Sequence, residues 1–158
     1  MLFRAAAAAR AARIAGRRDN GRSSQAPRAA ARAFAFFSSP SKPSADINAI
    51  ESWHAHVYFD ADSRDAAWAL RETIGQRFGA SVALGRFHER LVGPHPAWSY
   101  QIAFEPARFA EIVPWLVLNH GALDVFVHPN TGDALRDHRD AAVWIGKSYA
   151  LNLAALGG

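Results

Sequence analysis

Histidine is the residue type in this chain whose placement most clearly indicates chemistry. All seven histidines lie between residues 54 and 138 of the 158-residue sequence. Histidine is the commonest metal ligand in proteins, and its charge changes near physiological pH. A cluster of histidines therefore indicates a metal site or acid–base chemistry. Five of the seven lie at the ends of predicted strands, namely His54, His56, His88, His95 and His128.

Two periodicities in the sequence predict the elements that position these histidines. Apolar and polar residues alternate in segments that are typical of half-buried β-strands. Between these segments, apolar residues recur at helical spacing, and the first helix can begin at a capping Asp62 or Ser63. The predicted strands are 53–59, 82–89, 98–104 and 123–128, and the predicted helices are 63–78, 106–119 and a final segment at 133–147.

The order of these elements is β-α-β-β-α-β. It predicts an α+β, ferredoxin-like fold with a four-stranded antiparallel sheet and a C-terminal helical extension. We expect the sheet order 4-1-3-2, with strand 1 parallel to strand 3 and with strands 2 and 4 opposite to both. The start of strand 1, the end of strand 2, the start of strand 3 and the end of strand 4 then share one edge, where the five histidines converge.

The alternation also assigns each strand residue to one face of the sheet. The face that carries Val57, Tyr100 and Val125 is expected to pack under the helices. A bare sheet face with aromatic residues is rarely left exposed, so we expect a second subunit or the C-terminal segment to cover the other side. That second face carries His54, His56, Tyr58, Gln101, Asp124, Phe126 and His128.

Composition excludes several kinds of site and partner. The chain has no cysteine, which excludes disulfides, thiolate nucleophiles and iron–sulfur clusters. Residues 1–45 carry nine basic side chains and one acidic side chain, whereas residues 46–158 have a net charge of −4. The predicted domain therefore lacks the basic surface that nucleic acids require, and we expect no nucleic-acid partner. No apolar run approaches the roughly 20 residues of a membrane span, so we expect no membrane partner.

The first part of the chain differs in composition from the rest. Residues 1–37 are rich in Ala, Arg and Ser and nearly free of acidic side chains, which is typical of an organellar transit peptide. We expect a mitochondrial location. The alternatives are a plastid location, or a cytoplasmic protein whose disordered leader reflects a start codon assigned too early. Residues 38–48 are rich in Ser and Pro and are predicted to form a linker, so the predicted domain spans residues 49–155.

Three blocks of the sequence resemble the DOPA 4,5-dioxygenase family, the small extradiol-type enzymes of fungi and bacteria. The blocks are WHAHVYF at 53–59, GRFHERLVGPHPAWSYQIAF at 85–104 and VHPNTGDALRDHRDAAVWIG at 127–146. The resemblance implies a ferredoxin-like homodimer that uses non-haem Fe(II) and O2 to open a catechol ring beside its two hydroxyls. The implied substrate is DOPA or a related dihydroxyphenyl compound.

Such chemistry requires an iron with open positions, so that a catecholate and O2 can bind together. Two histidines with a carboxylate, or three histidines, leave such positions. We expect His56, His88 and His128 to be the metal ligands. His54 competes with His56, because residues i and i+2 of a strand share one face. Glu89 is the nearest carboxylate, but the alternation places it opposite His88; a divalent metal other than Fe(II) is also an alternative.

The other polar residues of these blocks have expected roles in proton transfer and substrate binding. His95, in a turn flanked by prolines, is expected to be the acid or base that handles a catechol proton, and Tyr58 is the second expected catalytic residue. An arginine can bind a substrate carboxylate through a bidentate pair. The expected substrate-binding residues are His54, Arg86, Arg90 and Gln101.

Structural roles remain open for each of these histidines, because a histidine in a strand is often only a hydrogen-bonded residue. His120 and His138 are expected at helical positions, in supporting roles. The alternative function is a non-enzymatic, dimeric ferredoxin-like module that binds a metal or a small aromatic molecule. A hydrolase is disfavoured, because no Ser or Cys nucleophile motif is visible.

Overall fold

Strands with alternating apolar residues form the centre of the molecule in the computed structural model, which describes residues 44–157. The β-branched and aromatic residues at every second position suit a sheet with one buried face. The strands are β1 (Ser52–Phe59), β2 (Ala83–Leu84), β3 (Trp98–Phe104), β4 (Asp124–Asn130) and β5 (Val143–Ile145), and the α-helices are α1 (Arg64–Phe78), α2 (Phe109–Asn119) and α3 (Ala134–Arg139).

The strands form one sheet in the order β2-β3-β1-β4-β5, in which every neighbouring pair is antiparallel. The first four strands have the predicted order 4-1-3-2. The prediction of four strands is wrong, however, because β5 adds a fifth. β5 lies within the predicted C-terminal helix: α3 ends at Arg139, and the Val-Trp-Ile segment that follows is better suited to a strand than to a helix. The predicted C-terminal helical extension is reduced to α3 and a 3-10 turn at Leu153–Leu156.

The direction of β3 corrects the predicted convergence of the strand ends. β1 is antiparallel to β3, with Phe59 opposite Trp98, so the prediction that strands 1 and 3 run parallel is wrong. β3 lies between β1 and β2 and is antiparallel to both, which makes β1 and β2 parallel to each other. His54 and His128 lie at the same end of the sheet, where β1 begins and β4 ends. His95 precedes the start of β3, which lies at the opposite end. His95 still approaches the other histidines, because its loop folds over the sheet face.

The second strand is shorter than the predicted segment 82–89. After β2 the chain keeps one further bridge to β3, between His88 and Ser99. Gly85 lies close against β3, since a Cβ added there would be 3.3 Å from the Cβ of Gln101. Apart from this bridge, the chain between β2 and β3 forms a loop that carries His88 and His95 beside the polar face of the sheet.

The helix-facing side of the sheet forms the hydrophobic core, as predicted. Buried residues recur along α1 at spacings of three and four, so that one helix face packs on the sheet. Full burial of each large apolar side chain contributes about 1.5–3 kcal/mol. The core includes Ala55, Val57, Phe59, Tyr100, Ile102, Phe104, Val125 and Val127 from the sheet, and Ala67, Leu70, Ile74, Phe78, Ile112 and Leu116 from the helices.

Residues 146–157, the C-terminal segment, cover the sheet face that α1 and α2 leave free, which is one of the two coverings expected from the sequence. Asp124, at the start of β4, accepts hydrogen bonds from the backbone N–H of Lys147 and the hydroxyl of Tyr149, both at 2.7 Å. The N–H of Asn152 donates to the carbonyl of Pro94 at 2.9 Å, which ties this segment to the loop before β3. The aromatic side chains of the covered face are buried, namely Tyr58 and Phe126.

The predicted leader, residues 1–37, lies outside the described residues, as does the first part of the predicted linker, 38–43. In the remainder of the linker, Asp46 accepts a hydrogen bond from the N–H of Asn48 at 2.9 Å and caps a 3-10 turn at Ile47–Ala49. Across residues 44–157, none of the helices has the length and apolar character needed to cross a membrane.

We expect Gly146→Ala to lower the free energy of unfolding by about 2–4 kcal/mol. Gly146 has a φ of 87°, and an added Cβ would overlap the carboxylate of Asp124 that holds the C-terminal segment. Gly132→Ala is the matched control, because φ is 85° and no atom lies within 4 Å of the added Cβ. It should lose only about 1–2 kcal/mol of backbone strain. Urea unfolding measures both, and equal losses would show that the contact with Asp124 is unimportant.

Candidate metal centre

Two neighbouring strands bring three histidines together on the sheet face that the C-terminal segment covers. His54 and His56 are two residues apart on β1 and therefore point to the same side. His128, on β4, is the cross-strand partner of His54. One ring nitrogen from each of the three lies within 4.8 Å of the other two. The group is therefore compact enough to hold one metal ion.

The spacing between His56 and His128 fits two ligands of the same ion. Their Nε2 atoms are 3.3 Å apart, and both side chains are buried. Nitrogens that each lie about 2.1 Å from one metal, at angles of about 90–109°, are about 3.0–3.4 Å apart. Two lone pairs at this separation repel each other unless a proton or a cation lies between them. The pair is therefore well arranged to share a cation.

A backbone hydrogen bond sets the tautomer of His128. Its Nδ1–H donates to the carbonyl of Pro129 at 2.8 Å. Because a carbonyl only accepts, the single proton of the neutral ring lies on Nδ1, and Nε2 keeps its lone pair on the side of His56. Hydrogen bonds of this kind orient histidine ligands and decide which nitrogen binds the metal. His128 is thus prepared to bind through Nε2.

His88, the third predicted ligand, is not part of this compact group. Its backbone pairs with β3 on the side away from β1, although its side chain lines the same cavity as His56. The geometry favours His54 as the third ligand, the residue that competed with His56 in the sequence-based prediction. Glu89 also stays outside the group, since it forms an ion pair with Arg64 at 2.7 Å.

The turn before β3 places His95 against the histidine group. The centroid of its ring lies 4.0 Å from that of His56, and its Nδ1 is 2.7 Å from the hydroxyl of Tyr58. The prolines at 94 and 96 fix the backbone on either side of His95. The structure thus brings the two predicted catalytic residues into contact with each other and places one of them beside a candidate ligand.

A cavity of about 240 Å³ opens beside His56. Gln101 lies opposite His56 in the β1–β3 pair, and the guanidinium-bearing side chain of Arg86 contributes to the wall. Arg90 is exposed and does not line this cavity. Five of the predicted site residues line it together, namely His56, Arg86, His88, His95 and Gln101. Amide and cationic donors on these walls suit a ligand with several oxygen atoms.

Helix α3 adds another histidine, His138, for which the sequence predicted only a supporting role. The ring centroid of His138 lies 3.9 Å from that of His128. The neighbouring Asp137 is 2% exposed and accepts hydrogen bonds from the N–H and the hydroxyl of Thr131, at 2.8 and 2.7 Å, which anchors α3. The signal in the sequence was the short turn after His128, which keeps α3 close to the end of β4.

Burial favours the uncharged form of four histidines of this site, His54, His56, His95 and His128. The pKa of His95 and the pKa of His128 are each lowered to about 4, first by burial and then by repulsion from His138. The pKa of His56 is lowered well below its usual range, first by burial and then by the neighbouring histidines. Burial also lowers the pKa of His54. Neutral rings keep the lone pairs that a metal requires.

We expect His54→Ala and His128→Ala to lose stoichiometric metal binding, whereas His88→Ala should retain it. Each of the first two changes removes one member of the three-histidine group. Affinity should fall by more than about 100-fold, because loss of a residue that merely orients a ligand already lowers it about 10- to 100-fold. Anaerobic titration with Fe(II), followed by metal analysis of the desalted protein, gives the stoichiometry. If His88→Ala lost the metal and His54→Ala bound it fully, the result would support the ligand set expected from the sequence, namely His56, His88 and His128.

The metal-free protein should lose stability as the pH falls from about 6.5 to about 4. The folded-state pKa of about 4 for His95 and His128 lies below the usual value of 6.5. The unfolded chain therefore binds more protons in this window, and the stabilisation is complete only above it. Each such histidine changes the free energy of unfolding by up to about 1.4 kcal/mol per pH unit. Urea unfolding with a chelator, at several pH values, tests this, and His95→Gln should give a shallower slope; a flat profile would contradict it.

Comparisons with known proteins identify relatives that match most of the domain. Residues 53–155 match the model of the Dopa 4,5-dioxygenase family. A DOPA 4,5-dioxygenase from Amanita muscaria is 39% identical over 127 residues, which are 73% of this chain and 56% of the relative. An uncharacterized 21.2 kDa protein from Botryotinia fuckeliana is 36% identical over 113 residues, which are 65% of this chain and 61% of the relative. The chain thus spans somewhat more than half the length of these curated relatives.

A solved structure from Nostoc punctiforme, provisionally described as a dioxygenase, has a similar fold. It is 49% identical in sequence, with a TM-score of 0.70, and the match covers 72% of this chain and 97% of that chain. The three-histidine group, the turn with His95 and helix α3 all lie within the residues that match the family model. The chain therefore belongs to the Dopa 4,5-dioxygenase family.

Proposed function

We propose that this chain is an extradiol-type dioxygenase that opens the ring of a catechol, DOPA or a related dihydroxyphenyl compound, with non-haem Fe(II) and O2. The observation that carries the proposal is the group formed by His54, His56 and His128, three neutral metal-binding side chains beside a small cavity. Family membership supports it, as does the name of the Amanita muscaria relative, DOPA 4,5-dioxygenase.

The three histidines would hold the metal through neutral nitrogen atoms. A bound Fe(II) supplies the redox chemistry of O2 activation and a Lewis acid for catechol oxygens, and three protein ligands leave positions for both. None of the carboxylates in residues 44–157 belongs to this group. The protein therefore leaves the charge of the cation to be balanced by the substrate, which favours a catecholate anion over a neutral molecule.

The cavity beside His56 is the proposed binding site of the aromatic ring. Its volume of about 240 Å³ suits a compound with one ring. Arg86 can pair with a substrate carboxylate, and Gln101 and His88 can donate hydrogen bonds to oxygen atoms. We keep Arg86 and Gln101 as substrate-binding residues and reassign His54 from substrate binding to metal binding.

The proposed reaction balances without a further co-reactant. The carbon–carbon bond beside the two hydroxyls breaks, and each of the two carbons gains one oxygen atom of O2. One of them becomes an aldehyde and the other a carboxylic acid, so that both oxygen atoms remain in the product. The protein binds and orients the ring and excludes water. His56 is 7% exposed, and the ring of Phe126 beside it is fully buried.

Anaerobic loading with Fe(II), followed by addition of a catechol under air, tests the proposed function. We expect one O2 consumed per substrate and a yellow semialdehyde product. Comparison of DOPA and caffeate with 4-methylcatechol, which lacks a carboxylate, separates ring binding from carboxylate binding. If Arg86 pairs with the carboxylate, Arg86→Leu should raise KM for the first two compounds and leave that for 4-methylcatechol within about twofold.

The controls use the same preparation. His128→Ala should show neither O2 uptake nor product, because it lacks a ligand, while Gly132→Ala should retain activity. Absence of turnover across the catechol panel, in protein with verified stoichiometric iron, would refute the dioxygenase proposal. That result would favour the module that binds a metal or a small aromatic molecule without catalysis.

A further inference from the structure

The hydroxyl of Tyr58 is buried and has one hydrogen-bond partner among the described residues, Nδ1 of His95 at 2.7 Å. Tyr58 is 2% exposed and His95 is 8% exposed. The edges and faces of Trp144 and Tyr149 surround the Tyr58 ring at centroid distances of 5.8 and 5.5 Å. This aromatic surrounding offers the phenolic proton no other strong acceptor.

The direction of this hydrogen bond follows from the need to satisfy the phenolic proton. If Nδ1 of His95 carried a proton and donated to Tyr58, the hydroxyl proton of Tyr58 would be buried without an acceptor. An unsatisfied buried donor costs about 1–3 kcal/mol. If Tyr58 donates to Nδ1, both groups are satisfied. The phenol of tyrosine has an ordinary pKa of about 10 and keeps its proton at neutral pH.

The other ring nitrogen of His95 then carries the proton. The ring of His95 packs against other aromatic and histidine rings, and its side-chain hydrogen bond within residues 44–157 is with a hydroxyl and not with a carboxylate. The ring is therefore neutral and has one proton. With Nδ1 accepting from Tyr58, this proton lies on Nε2. Nε2 has no hydrogen-bond partner in the described part of the chain, and His95 lines the cavity beside His56.

Two neighbouring histidines carry a proton on Nδ1 instead. Nδ1–H of His128 donates to the carbonyl of Pro129, and Nδ1–H of His138 donates to the carbonyl of Ala134, both at 2.8 Å. In the neutral ring of His128, Nε2 therefore carries a lone pair. The hydrogen-bond partner of Nδ1 thus distinguishes His128, which offers a lone pair at Nε2, from His95, which offers an N–H there.

We propose that Tyr58 is a positioning residue that holds His95 in the Nε2–H tautomer, so that His95 donates a hydrogen bond to a substrate oxygen in the cavity. The role in substrate binding rests on the proposed dioxygenase function, whereas the tautomer does not. His95 is then a hydrogen-bond donor in the resting protein and does not accept the catechol proton there. This narrows the acid-or-base role expected from the sequence.

Nitrogen-15 NMR of the full chain, labelled at histidine and loaded with diamagnetic Zn(II), tests the tautomer directly. We expect the His95 signals to show an unprotonated Nδ1 and a protonated Nε2, whereas the His138 signals should show a protonated Nδ1. Assignment uses the spectrum of His95→Gln. A protonated Nδ1 at His95 in the wild-type protein overturns the proposal, whether or not any variant folds.

Tyr58→Phe and Tyr149→Phe form a matched pair of variants. Each removes one hydroxyl from the same aromatic group, but the hydroxyl of Tyr149 donates to Asp124 and not to His95. Tyr58→Phe should populate the Nδ1–H tautomer of His95, whereas Tyr149→Phe should leave the wild-type spectrum of His95. An unchanged His95 spectrum in Tyr58→Phe overturns the proposal.

Kinetics of the iron-loaded variants separate the positioning role from the proposed function itself. Because it removes a hydrogen bond to the bound substrate, Tyr58→Phe should raise KM about tenfold, with kcat within about twofold and iron content unchanged. If KM is unchanged while the tautomer shifts, the positioning role is refuted. If the wild-type protein turns over no catechol but shows the Nε2–H signal, the tautomer assignment stands and the dioxygenase proposal fails.

Discussion

The register between β1 and β4 is the constraint on which the rest of the site depends. Antiparallel pairing places His54 directly opposite His128 and places Val57 opposite Val125 in the core. Because side chains alternate between the two faces, a slip of one residue would move the histidines into the core and the valines into the cavity. Burial of the apolar positions therefore determines where the candidate metal ligands lie. The core and the candidate site therefore lie on opposite faces of the same pair of strands.

The second condition is the cover over the polar face of the sheet. Asp124 holds the C-terminal segment through Lys147 and Tyr149, and the same segment is bonded to the loop that carries His95. A carboxylate at the far end of β4 thus anchors the segment that covers this face of the sheet. Exclusion of water from the site lowers the histidine pKa values and strengthens each hydrogen bond within it. The cover and the chemistry of the site are consequently linked, although the carboxylate of Asp124 is hydrogen-bonded to the cover rather than to a candidate ligand.

Periodicity predicted most of this arrangement, because it reports which face of an element is buried. The core face and the covered polar face of the sheet follow from it, whereas the order of the first four strands follows from the β-α-β-β-α-β order of the elements. Periodicity does not report strand direction: β3 returns antiparallel to β1, so the expected meeting of strand ends was wrong, and the folded loop brings His95 to the site instead. It also could not rank His54 against His88. That choice depends on Gly85 and on the end of β2 after two residues, which are matters of close packing against Gln101.

The proposed metal would also change the energetics of the fold. Without a cation, neutral histidine rings pack against each other in a buried cluster, with the Nε2 atoms of His56 and His128 only 3.3 Å apart. A cation between them would replace a proton or a repulsion by two bonds to nitrogen, and it can do so only where the β1–β4 register is formed. A ligand that binds only the folded state stabilises it by about 2.7 kcal/mol at 100 times its Kd. Metal binding and strand register would therefore reinforce each other. In the proposed tautomer, His95 stays outside this coupling, because its Nδ1 accepts the hydrogen bond of Tyr58 on β1 and its Nε2 carries a proton. His95 would thereby be left for the substrate when His54, His56 and His128 bind the metal.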